Sequence, residues 1–161
     1  MPDQINKQKE LQLIIFKVDK EEFALEIQQV KEIVRLIPIT PVPRTPFFIE
    51  GIVNLRGQIL TVIDLAKRLN LKVNSRTDKS RIIVVALEEL VVGMIVDEVV
   101  EVLKLPEDSI EKHPELISPE FRHSFLKGVG KLDKRLLMLI DVANLFSQEE
   151  LEDLKVQKKN E

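Results

Sequence analysis

Cysteine is absent from all 161 residues, so no disulfide, thiolate metal centre or cysteine nucleophile can operate, and the chain suits a reducing compartment. Tryptophan and tyrosine are absent as well. The seven phenylalanines stand mostly in apolar surroundings and leave few platforms on which nucleic-acid bases could stack. Histidine occurs twice, at His113 and His123, each among charged and proline residues and without the H-E-x-x-H spacing of a metal site; both read as surface residues. No apolar run approaches the roughly 18 residues of a membrane span. Ile82 to Leu87, for example, is strand-sized and is followed by Glu88 and Glu89. Met1 to Glu10 is polar and lacks the apolar stretch of a secretory signal. The expectation is a cytoplasmic protein without membrane insertion, residues 1–9 forming a loose arm. Nor does one sign of charge dominate: 24 basic residues face 27 acidic ones, interspersed, for a net charge of −3. Nucleic-acid binding draws most of its affinity from clustered Lys and Arg, so this balance argues against nucleic acid as a main ligand.

The material that is present is that of an ordinary globular chain, with 44% apolar and 32% charged residues. Its most informative feature is an internal repeat. The stretch GIVNLRGQILTVIDLAKRL from Gly51 aligns without a gap with GVGKLDKRLLMLIDVANLF from Gly128, at a spacing of 77. Gly51, Leu55, Ile63, Asp64 and Ala66 recur as Gly128, Leu132, Ile140, Asp141 and Ala143. Upstream, FALEIQQVKEIVRL from Phe23 matches VGMIVDEVVEVLKL from Val92 at a spacing of 69, with Val30, Glu32 and Leu36 recurring as Val99, Glu101 and Leu105. The order is the same in both halves.

Within each half the residue pattern is that of strands. Gln12 to Val18 and Glu22 to Ile27 flank the turn Asp19-Lys20-Glu21; Ile82 to Leu87 and Val91 to Val96 flank Glu88-Glu89; Ile52 to Leu55 and Ile59 to Ile63 flank Arg56-Gly57-Gln58; Leu136 to Ile140 follows later. Short strands at this spacing indicate barrels or a sandwich. A half of about 70 residues is near the lower limit for a core of its own, so the halves are expected to share an apolar contact. Pro38, Pro41, Pro43 and Pro46 impose a stiff connector, and Thr45-Pro46 reads as the start of one helical turn over 46–50. Asp64 and Asp141 each end a strand in the manner of helix N-caps, and Ser147 with Glu150 forms a capping box before a C-terminal helix.

Catalytic constellations are missing. No serine lies in a G-x-S-x-G turn or an S-x-x-K arrangement, and there is no phosphate-binding glycine loop. The pair Asp64 and Asp141 is explained by capping. Glu32 and Glu101 alternate with apolar residues, which by the two-residue period points them outward, to solvent or to a partner. Gly57 supplies positive φ in the L-R-G-Q turn and projects Arg56, whose fork of donors suits a carboxylate; the corresponding turn, Asp133-Lys134, has no glycine. No enzyme and no cofactor is indicated. The alternative to a protein-binding adaptor is an OB-like nucleic-acid-binding module, favoured only by the expected barrel.

The run GIVNLRGQILTVIDL, with ALEIQQVKEIVRL upstream and VVGMIVDEVVEVL downstream, resembles the CheW family of bacterial chemotaxis coupling proteins over about residues 10 to 150. The N-L-R-G turn leading to a strand that ends in I-D-L is the most specific element, and Thr61 stands where the family commonly has proline. The resemblance implies an all-β fold: two related five-stranded SH3/OB-like β-barrels packed side by side, with short helices and a C-terminal helix. It implies a CheW-like domain over residues 10–157, with pseudo-repeats at roughly 22–70 and 90–146, strands exchanged between them, and a frayed tail at 158–161. It implies a scaffold that links the cytoplasmic tip of transmembrane chemoreceptors to the regulatory domain of the histidine kinase CheA, recruited to membrane receptor arrays. Carried over by motif position, the receptor-facing residues would be Val30, Glu32, Ile33, Arg56, Gly57, Val99 and Val102, and a kinase contact would fall at Ile110 and Leu116.

Overall fold

A computed structural model describes residues 9–112 and 125–159. Eleven strands run β1 (Glu10–Val18), β2 (Glu21–Glu26), β3 (Val30–Arg35), β4 (Ile49–Leu55), β5 (Gln58–Asp64), β6 (Arg81–Leu87), β7 (Leu90–Val96), β8 (Glu98–Pro106), β9 (Ile110–Glu111), β10 (Leu126–Leu132) and β11 (Arg135–Ile140). The helices are a single turn, α1 (Leu65–Arg68), and α2 (Gln148–Lys159). The expected all-β fold in two related parts is the one observed, as two sheets of six and five strands. His113, His123 and Leu116 lie outside the described residues.

Strand order reveals how the halves are joined. One sheet runs β8-β1-β2-β11-β10-β9 and the other β3-β6-β7-β5-β4. After β2 the chain leaves the first sheet, and β3 pairs with β6 in the second; after β7 it returns, and β8 pairs with β1 in the first. The two crossings are equivalent at the spacing of 69. Val99 lies opposite Phe16 and Glu101 opposite Ile15, just as Val30 lies opposite Val85 and Glu32 opposite Val84. Both ladders slip by one residue at the same place, between Ile15 and Phe16 and between Val30 and Glu32. The spacing of 77 has its own signature: Asp64 N–H donates to Phe48 O and Asp141 N–H to Phe125 O, each at 2.8 Å.

Long apolar runs in β1, β6 and β7 follow from burial on both faces. Leu13 and Ile15 face a core inside the first sheet with Leu137 and Leu139, while Phe16 and Val18 enter a different core. Ile82 and Val84 face the interior of the second sheet with Leu60 and Val62, while Ile83 and Val85 join Phe16 and Val18. There are thus two small sheet cores and a larger one between them, to which both sheets contribute.

Each sheet is also curled. Arg56, in the β4–β5 turn, bonds Glu32 on β3, although β3 and β4 are at opposite ends of their sheet. Three to four strand spacings of ~4.8 Å would hold them about 14–19 Å apart in a flat sheet, beyond the reach of an arginine.

Two details depart from the sequence reading. The turn expected at 46–50 is present but shorter than a helical one: Ile49 N–H donates to Pro46 O at 3.0 Å, closing a four-residue turn, and β4 begins at once. Burial of Phe48 and Ile49 in the shared core accompanies the passage from this turn straight into the strand. The sixth strand of the larger sheet is the two-residue β9, whose counterpart in the other sheet shrinks to the bridge between Thr40 and Ile52. Both features press backbone onto a glycine. A Cβ on Gly51, where φ is +150°, would lie 2.1 Å from Thr40 O; on Gly128 it would lie 2.8 Å from Glu111 O.

Gly51→Ala should therefore destabilise the fold by about 3 kcal/mol, combining overpacking and backbone strain of about 1–3 kcal/mol each. Gly57→Ala, with φ +85° but nothing within 4 Å of the new Cβ, should cost only about 1 kcal/mol. Urea unfolding of the two variants checks this ranking; equal midpoints would contradict it.

Candidate functional site

The residues singled out from the sequence concentrate on the two exchanged strands. Among the described residues β3 and β8 are sheet edges, each with one ladder partner. Val30 and Val99, at their starts, are half-buried against the shared core. Ile33 and Val102 occupy equivalent places further along and are 36% and 51% exposed. Val100, at the slipped position of β8, is exposed too.

Glu32 does not point outward as the two-residue period implies. The extra residue at Lys31 changes the face of the strand between Val30 and Glu32, so Glu32 shares its side with Val34, which packs on the core of the second sheet. The same slip at Val100 puts Glu101 on the side of Leu103 and Leu105, which pack on the first. Each glutamate then meets an arginine. Glu32 accepts from Arg56, and Glu101 from Arg135, whose guanidinium also makes a two-pronged contact with Glu22 at 2.9 and 3.0 Å. The distance from Arg135 to Glu101 is 2.8 Å. Both sheets therefore carry an Arg–Glu clasp that ties an edge strand to a hairpin across the curl.

Arg56 and Gly57 form a two-residue hairpin turn with φ of +52° and +85°, the geometry that asparagine-glycine-like sequences favour. Asn54 supports it: its Oδ1 accepts the Gly57 N–H at 2.8 Å. The turn holds the Arg56 side chain 67% exposed even while it is paired. The Asp133-Lys134 turn keeps the left-handed first residue, with Asp133 at φ +55°, so its lack of glycine changes the chemistry and not the backbone start.

Two groups escaped the sequence reading. One is the Arg135 clasp, whose signal was the recurrence of Glu32 as Glu101. The other is Arg68, whose guanidinium lies 5.6–5.9 Å from the rings of Phe48, Phe125 and Phe146 while Nε donates to Leu145 O at 2.7 Å. Ile110 is half-buried; it packs on the core of the first sheet and stands over Gly128.

The carboxylates considered for chemistry are occupied by caps. Asp64 accepts from Lys67 N–H at 3.3 Å and from Arg76 at 2.8 Å; Asp141 accepts from Ala143 N–H at 3.1 Å and from Asn144 at 2.7 Å. Among the described residues, no group of three or more His, Cys, Asp or Glu is placed to hold a metal ion, and no helix is long and apolar enough to cross a membrane.

Electrostatics at the clasps follow from geometry. The hydrogen bond and charge of Glu32 raise the Arg56 guanidinium above its ordinary pKa, and the hydrogen bonds of Glu22 and then Glu101 raise Arg135. A cation whose pKa is raised by folding adds stability that is fully present below its unfolded pKa and is lost only as pH rises through the folded value. For arginine that window lies far above neutrality, so the two guanidinium groups give no pH dependence near pH 7. Arg135 is 34% exposed, and screening limits its contribution to about 1 kcal/mol or less. Arg135→Gln should lower the urea midpoint slightly at low salt and less at high salt; a loss that ignores salt would contradict the clasp.

Comparison with known proteins places this geometry in context. The family model described as "CheW-like domain" matches residues 12–150. The chain is similar to the probable chemotaxis protein CheW of Rhizobium etli, 38% identical over 141 residues, 88% of this chain and 90% of that protein. It is similar to the chemotaxis protein CheW of Bacillus subtilis, 39% identical over 137 residues, 85% of this chain and 87% of that one. Among solved structures, the scaffolding protein TtCheW of Thermoanaerobacter tengcongensis superposes with a TM-score of 0.80 at 37% identity, covering 88% of this chain and 96% of that one.

Proposed function

The chain belongs to the CheW family of chemotaxis scaffolds, and we propose that it couples the cytoplasmic tip of chemoreceptors to the regulatory domain of the histidine kinase CheA, catalysing no reaction itself. The observation that carries this reading is the family match across residues 12–150 together with likeness, over most of both chains, to a scaffolding protein. On this reading the protein works in the cytoplasm and is recruited to receptor arrays at the membrane. The relatives and the structural neighbour reported above are chemotaxis and scaffolding proteins, which leaves the nucleic-acid alternative without support.

Receptor contact in this proposal uses the exchanged strands. Ile33 and Val102 supply exposed apolar surface for the face of an amphipathic helix, Val30 and Val99 form the floor against the shared core, and the Glu32–Arg56 pair sets register at the rim. Arg56 and Gly57 stand on a turn fixed by Asn54, so the rim requires little ordering on binding. Kinase contact falls on the second half, around Ile110 and Leu116.

Purified protein should capture both a CheA regulatory domain and a receptor cytoplasmic fragment; folded protein that captures neither contradicts the proposal. Arg56→Glu and Val102→Asp should each weaken receptor capture by roughly tenfold, equivalent to about 1.4 kcal/mol. CheA capture and the thermal midpoint should stay near wild type. If Arg56→Glu unfolds the protein, Arg56 serves the fold and the rim assignment fails.

A further inference from the structure

We infer that α2 is a latch that opens and closes separately from the two sheets, with Arg68 as its catch. α2 is a twelve-residue helix of sequence QEELEDLKVQKK. That length is marginal for an isolated helix in water, so its persistence depends on docking. Its seat is small: Leu154 is fully buried in the shared core and Leu151 packs against that core. The reach from second half to first is unmatched in the repeat: α1 corresponds to the short turn Val142–Asn144, and at the spacing of 77 no helix stands where α2 would recur.

Polar contacts finish the docking. Arg68 Nη2 donates to Glu150 Oε1 at 3.3 Å, and Thr61 Oγ1 donates to Leu154 O at 3.4 Å. Thr61 is buried, so its hydroxyl meets the helix inside the core. Glu150 is used twice: the same Oε1 accepts the Ser147 N–H at 2.7 Å, while Ser147 Oγ accepts the Glu150 N–H at 3.1 Å. One carboxylate thus starts the helix and fastens it.

The catch remains set when the helix leaves. Arg68 is fixed by the Phe48, Phe125 and Phe146 rings and by Leu145 O, none of which belongs to α2. Phe146 and Leu145 are buried, whereas Ser147 is exposed, so a hinge at Ser147 detaches the helix while Leu145 and Phe146 stay in place, at the cost of withdrawing Leu154 from the core. Docked, α2 lines a cavity of about 260 Å³ through Gln148, Leu151 and Lys155, which Gln29, the residue before β3, also lines. Opening removes that lining next to the start of an exchanged strand.

Native-state hydrogen exchange on the full chain tests this. Amides of residues 152–155 should exchange at least tenfold faster than those of β1, β2, β6 and β7. Glu150→Gln keeps a residue able to complete the capping box but removes the charge facing Arg68. It should speed exchange in α2 several-fold further and leave the four strands unchanged. Arg68→Gln should do the same; if it instead lowers protection everywhere, Glu150→Gln decides. Equal protection of α2 and the strands in the wild type, or no effect of Glu150→Gln on α2, would overturn the latch.

Discussion

Phe16 and Phe23 lie opposite each other on neighbouring strands, their rings stacked 6.0 Å apart, within a core that also takes Ile83, Val85, Val92 and Met94 from the other sheet. This shared core governs the architecture. A half of the chain could form one hairpin's worth of a sheet with its first two strands, but the strand that follows is committed to the other sheet. Each half therefore supplies an edge strand to its neighbour and fills a common interior. Truncating a buried phenylalanine costs about 3–5 kcal/mol, against a total stability of about 5–15 kcal/mol for a domain. A defect at Phe16 or Phe23 is felt by both sheets at once.

The exchange also dictates what the surface can offer. Because β3 and β8 cross between sheets, they end as edges, begin on the shared core and rise to exposed Ile33 and Val102. Exposed sheet edges are prone to unwanted pairing, and here each carries charged residues and a one-residue slip that bends it. The slip decides the electrostatics as well. It turns Glu32 and Glu101 toward the open ends of the curled sheets, where Arg56 and Arg135 await them. A scaffold built this way holds its surfaces in fixed relation, since moving one sheet against the other would open the common interior.

Much of this was legible in the residues. The recurrence of Gly51 as Gly128 and of Asp64 as Asp141 reported true structural equivalence, down to matching hydrogen bonds from Asp64 and Asp141 to Phe48 and Phe125. The hairpins were visible because each two-residue turn is polar and stands between apolar strands. What escaped was set by long-range geometry. The slip at Lys31 leaves no mark in composition, yet it reverses the face of Glu32. Pro46 does open a turn, closed by Ile49 N–H on Pro46 O, but with Phe48 and Ile49 buried the chain goes on into β4 and not into helix. Arg68 carries no motif of its own, and only the meeting of three phenylalanines from distant positions makes it a fixed feature.

Scaffolding of larger signalling proteins requires that the two sheets behave as one body, and calorimetry of the full chain tests that requirement most directly. Sheets that share a core through exchanged strands should unfold in one transition whose calorimetric and van't Hoff enthalpies agree. Two resolved transitions, or a calorimetric enthalpy well above the van't Hoff value, would show that the sheets melt independently and would contradict the account.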